Sequence, residues 1–143
     1  MLKKTLVSIV VCLGLAGSVS AQEGTTLKAD MGELSGNIST LQMGFFTNDR
    51  KVTFEAIKTL RANVKKFMGD KATITKLLPS NIKYKSSIAV NSAHMIDKYA
   101  AQIEKDLQDR SMSAINREMN TQKAFLEIQN QCFRCHNLVR DWQ

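Results

Sequence analysis

Leu27-Lys28-Ala29-Asp30-Met31-Gly32-Glu33-Leu34-Ser35-Gly36-Asn37-Ile38-Ser39-Thr40-Leu41-Gln42-Met43-Gly44-Phe45 is the stretch whose pattern decides the fold. Leu27, Met31, Leu34, Ile38, Leu41 and Phe45 follow one another at intervals of 4, 3, 4, 3 and 4 residues. A helix brings such positions to one side, and the seam they make is narrow, with a coiled-coil-like period. The spacing predicts a helix from about Thr25 to Thr47. Gly32, Gly36 and Gly44 interrupt it, each at a cost of about 1 kcal/mol relative to Ala. Gly32 and Gly36 lie one turn apart beside Met31, where small residues let a neighbouring helix or a flat ligand come close. Close helix packing is the simpler expectation.

The same periodicity continues downstream. Thr47-Asn48-Asp49 reads as a tight turn with an Asn or Asp N-cap. Ile57, Leu60, Val64 and Phe67 then mark a second helix that Gly69 stops, with Lys58, Arg61, Lys65 and Lys66 on its outer side. Residues 70–86 form the longest break and hold the only proline, Pro79, with room for a short helical turn. A third helix, Ser86 to Asp109, turns Ile88, Ser92, Ile96, Tyr99, Ile103 and Leu107 inward. A fourth starts near Ser111 or Ser113 with Ile115, Met119, Phe125 or Leu126, Cys132, His136 and Val139 on its inner side. No segment alternates apolar and polar residues as a strand would. The expected fold is all-α, an antiparallel up-down-up-down four-helix bundle forming a single domain over residues 22–143.

Residues 1–21 look like an export signal. Lys3 and Lys4 form a positive start, Leu6 to Ala16 an apolar run, and Val19-Ser20-Ala21 a small-residue cleavage site, so the processed chain begins at Gln22. The run is shorter than the roughly 20 apolar residues of a membrane span, and no span is expected in the processed chain. Cys12 has Val11 before it and apolar sequence after it, which argues against lipidation. The formal charge is +7, and leaving out Lys3 and Lys4 gives +5. That moderate excess suits an acidic docking partner or simply a solvated lysine-rich surface. No basic run is interleaved with aromatics, so nucleic acid is not expected. No acid–base pair or activated nucleophile stands out, so an enzyme is not expected either.

Chemistry concentrates near the C-terminus, in Gln131-Cys132-Phe133-Arg134-Cys135-His136-Asn137-Leu138-Val139-Arg140. Cys-x-x-Cys-His is the spacing of a c-type haem attachment site. On a helix, positions i, i+3 and i+4 share a face. Two thioether bonds and one axial imidazole can therefore come from one side of the macrocycle. A thioredoxin-like pair needs a strand–helix setting and a cysteine at a helix N-terminus, neither expected here. A structural zinc site needs a fourth ligand, and His94, the only other histidine, falls off the inward face. In an antiparallel bundle the end of helix four lies beside the start of helix one. Met31 is then the candidate opposite His136, as the sixth ligand or as a core methionine packed above the ring. Met43 lies off the seam, and Met68 and Met95 on other helices are not expected to reach the iron. Arg140, one turn beyond His136, either pairs with a propionate or complements the helix end.

With these residues in place the chain resembles the cytochrome c′ family, including its low-spin, methionine-ligated relatives. The resemblance rests on the four-helix order, the terminal Cys132-Phe133-Arg134-Cys135-His136 motif, the 122-residue processed length and the basic Arg140. It implies one covalent haem c bound by Cys132 and Cys135, with His136 as axial ligand and a periplasmic location. Redox partner proteins and a homodimer are further implications. It implies either of two functions: single-electron transfer with Met31 as sixth ligand, or five-coordinate binding of NO or CO. The chain departs from the family one turn before Met31, where Leu27 and Lys28 stand in place of the usual arginine.

Overall fold

The computed structural model describes residues 19–139, with side chains from Leu27 onward. Most of the expected signal segment, with Cys12, and Arg140 with the three residues after it lie outside the described residues. The described chain is all-helical: α1 (Val19–Phe46), α2 (Arg50–Met68), α3 (Lys71–Leu77), a 3-10 helix (Ser80–Lys85), α4 (Ser86–Gln108) and α5 (Ala114–Val139). The break expected between the second and third long helices thus holds more helix than its sequence pattern suggests. Among the described residues no helix is long and apolar enough to cross a membrane.

Short polar signals set the ends. Asp49 caps α2 by accepting from the backbone N–H groups of Lys51 and Val52, both at 3.0 Å. The turn before it places Asn48 at φ 51°, the left-handed region that asparagine tolerates. Asp70 caps α3 through the backbone N–H of Thr73 at 2.9 Å. Gly69 ends α2 with a right-handed φ of −70° rather than the left-handed conformation of many stop glycines. What requires glycine there is proximity, because a Cβ would collide with the Lys65 carbonyl oxygen.

α2 and α4 supply most of the core. Ile57, Leu60, Val64 and Phe67 are all buried, as their spacing predicts, together with Ser92, Ile96, Ile103 and Leu107 of α4. Ala89, Ala93 and Ala100 are buried beside them and let the helices approach. Outside this apolar layer Arg61 pairs with Asp97 at 2.9 Å and with Glu104, which ties α2 to α4. The two carboxylates hold the Arg61 guanidinium above its ordinary pKa.

α1 packs on α2, and α5 on α4. Gly44 meets Thr53, while Asn63 donates from Nδ2 to Glu33 Oε1 and Asn37 Oδ1, both at 2.9 Å. The outer helices α1 and α5 are not a closely packed pair, and they meet through the rings of Phe45 and Phe125, 5.3 Å apart. Of the α1 seam only Leu41 is fully buried; Leu27, Met31, Leu34, Ile38 and Phe45 are half-buried.

Two sequence expectations are corrected. Gly32 and Gly36 have nothing within 4 Å and do not admit a neighbouring helix; Gly44 does that instead. Each residue turns about 100° round a helix, so neighbours of the inward Met31 face away from the core. On α5, Ile115 and Met119 are exposed at 71% and 49%, and Leu126 at 57%. The buried line there runs through Thr121, Ala124, Phe125, Ile128, Gln131, Cys135 and Val139. Thr121 can be buried because its hydroxyl donates back to the carbonyls of Arg117 and Glu118, which removes the polar penalty that hid it from the apolar pattern.

The glycines give a direct stability test. A Cβ at Gly44 would lie 2.5 Å from Thr53 Oγ1 and 2.9 Å from Thr53 N. Gly44→Ala is therefore expected to destabilise by about 1–3 kcal/mol through overpacking, whereas Gly36→Ala stabilises by about 0.5–1 kcal/mol. Urea unfolding of the two variants checks the opposite signs.

Candidate cofactor site

The Cys-x-x-Cys-His run falls inside α5, as its helical reading predicts. Cys135 is buried, Cys132 is half-buried, and His136 sits at the exposed rim. Both thiols are free. The gap between α1 and α5 opens at this end, and two cavities occupy it.

The first, about 230 Å³, lies between the middle of α1 and the motif. Leu34 and Ile38 of α1, Leu60 and Val64 of α2, Ser92 and Ile96 of α4, and Cys132 and Phe133 of α5 line it. The second, about 410 Å³, lies toward the N-terminal end of α1 and is roofed by α3 and the 3-10 helix through Ile74, Leu77, Leu78, Pro79 and Ile82. Met31, Met68, Cys135 and His136 line both cavities. The two spaces thus adjoin at the motif, and together they have the size range of a site for a cofactor-sized molecule.

The structure accordingly brings Met31 beside Cys135 and His136, on the side where helix alternation places it. It also brings Met68, which the sequence reading set aside because it lies on α2. Met68 is only 5% exposed and lines both cavities. Its place follows from α2 ending at Gly69, at the same pole as the motif, a register that spacing within one helix does not reveal. Lys28 lines the second cavity beside Leu27. Tyr99 packs half-buried against the core and lines neither cavity. His94 is exposed, on the far side of α4 from the motif cavities. Arg140 lies outside the described residues.

Electrostatically the site is quiet. Burial pushes the Cys132 thiol up, and burial followed by the proximity of Cys132 pushes Cys135 up to about 11. Such thiols stay protonated at neutral pH, the opposite of the low-pKa thiolate of a redox pair or a metal-thiolate site. Ser92 is 1% exposed and its hydroxyl has no hydrogen-bond partner, although the residue lines the first cavity. A buried hydroxyl without a partner beside an apolar space leaves hydrogen-bonding capacity for whatever fills that space. Among the described residues no group of three or more His, Cys, Asp and Glu side chains is placed to hold a metal ion by itself. No family model, curated protein or solved structure matches the chain.

The raised thiols set two expected outcomes for the chain without cofactor. At pH 8, Cys135 should carry roughly a hundredfold less thiolate than a thiol of pKa 9.0, so iodoacetamide labels it slowly until urea unfolds the chain. Because the folded state holds these protons more tightly, the thiols' contribution to stability is fully present below an ordinary thiol pKa of about 8.5 and is lost as pH rises toward the folded value. The urea midpoint should fall across that window, and part of the fall should be missing in Cys135→Ala.

Proposed function

We propose that this protein is a monohaem c-type cytochrome of the cytochrome c′ kind that carries single electrons. The observation that carries the reading is the convergence of Met31, Cys135 and His136 on one apolar space, with Cys132 at its edge. Position-by-position contacts support reading α1, α2, α4 and α5 as an antiparallel up-down-up-down bundle with the haem on its last helix. Gly44 pairs with Thr53 and Asn63 with Asn37, Arg61 with Glu104 and Lys65 with Asp97, while Phe45 pairs with Phe125 and Met31 shares its cavities with His136. An apolar N-terminal segment in keeping with an export signal suits periplasmic attachment and a periplasmic redox partner.

The residues present fit the group. Cys132 and Cys135 would hold haem c by thioethers, and neutral buried thiols suit that bond better than they suit a thiolate metal site. The His136 imidazole and the Met31 thioether, which line the same cavities, would hold the iron. When bound, haem supplies a one-electron couple whose potential methionine–histidine ligation raises. The chain's part is to hold two ligands in place in both oxidation states. Leu34, Ile38, Leu60, Val64 and Ile96 keep water out, and Ser92 offers a hydrogen bond inside. The rim position of His136 and the exposed Phe133, 66% accessible, put the motif at the surface, where a bound cofactor would be within reach of a docking partner. The lysine-rich outer side of α2 favours acidic partners.

Expression with a haem-attachment system should yield a chain heavier by one haem, with the mass retained after denaturation. The reduced protein should give sharp, split visible bands, and the oxidised protein a sulfur-to-iron charge-transfer band. Cys132→Ala and Cys135→Ala together should abolish covalent attachment. A broad high-spin spectrum that changes on adding NO or CO would establish the five-coordinate, gas-binding function in place of electron transfer.

A further inference from the structure

Four side chains line both cavities, and three of them have a part in the proposed site. The fourth is Met68, at the last position of α2. The place shared by two adjoining spaces is the middle of the combined space, and His136 borders it together with two thioether side chains, Met31 and Met68, from two different helices.

Met31 and Met68 are the only methionines of the described chain that line either cavity. Met43 and Met119 are exposed at 58% and 49%, while Met95 and Met112 line neither space. Met68 is the better desolvated of the pair, since it is 5% exposed whereas Met31 is half-buried. Its sulfur has already left water, so binding the metal costs it no further hydration. An unbranched side chain with three rotatable bonds can redirect that sulfur without moving the helix.

Resting on the haem reading above, we propose that Met68 is a second thioether ligand, which takes the sixth coordination position whenever Met31 leaves it. The exchange breaks one sulfur–iron bond and forms another, with no change of oxidation state and no proton moved. It keeps the iron six-coordinate and low-spin, and closes the site to small exogenous ligands even as Met31 dissociates.

Leucine replaces methionine at nearly constant volume, so Met31→Leu, Met68→Leu and the double variant test ligation without opening a cavity. Covalent haem is first confirmed by mass in each. The oxidised Met31→Leu protein is expected to keep a sulfur-to-iron charge-transfer band, shifted from wild type, and to stay unreactive toward CO when reduced. Met68→Leu keeps the band through Met31. The double variant loses it, turns high-spin and binds CO. A high-spin, CO-binding Met31→Leu protein with haem attached overturns the second-ligand role alone. Loss of the band in Met68→Leu overturns the order of the two ligands. A chain that takes up no covalent haem overturns the cytochrome reading itself, and the inference with it.

Discussion

A slot left between two helices governs this molecule. α5 lies along α4 and α1 along α2, but α1 and α5 touch through Phe45 and Phe125 and then leave room between them toward the motif. Close-packed protein interiors contain few voids larger than a water molecule. Adjoining spaces of about 230 and 410 Å³ in a chain of 143 residues mark a place that side chains do not fill. The half-burial of Leu27, Met31, Leu34 and Ile38 has the same origin, because these seam residues face the slot instead of a packed helix.

The rest of the fold holds the slot open. α2 and α4 form a solid wall behind it, with Ile57, Leu60 and Ile103 almost fully buried. The Arg61 pairings with Asp97 and Glu104 clasp that wall on its outer side. Gly44 lets α1 approach α2 closely at one pole, and Asn63 reaches across to α1 near the other. α3 and the 3-10 helix roof the second cavity with apolar residues. A site with this build has its polar chemistry at few points: the motif, Ser35, Ser92, Gln129 and Lys28.

Much of this was legible in the sequence, for physical reasons that differ from residue to residue. The helices follow from periodicity, and the buried Ile57, Leu60, Val64, Phe67, Ile96 and Ile103 follow with them, because a helix places every third or fourth residue on one side. Asp49 was readable as a cap because a short acceptor there meets free N–H groups. The inward face of the first turns of α5 was not legible, although its start was. Thr121 bonds back to its own helix, so a polar residue turns inward while Ile115 and Met119 stay in water. Gly32 and Gly36 misled in the opposite way, since their smallness suggested an approach that the helix phase directs elsewhere.

The sequence by itself determined the helical class, the ends of α2, the face shared by Cys132, Cys135 and His136, and the seam that carries Met31. Each of these depends on contacts within one helix or its first turn, where spacing is geometry. Only the tertiary structure decided which small residue admits a neighbour, which thiol is buried, where the slot opens, and that Met68 stands at it beside Met31. Those outcomes depend on the register of one helix against another. Register is set by the packing of all the helices at once, and no local pattern encodes it.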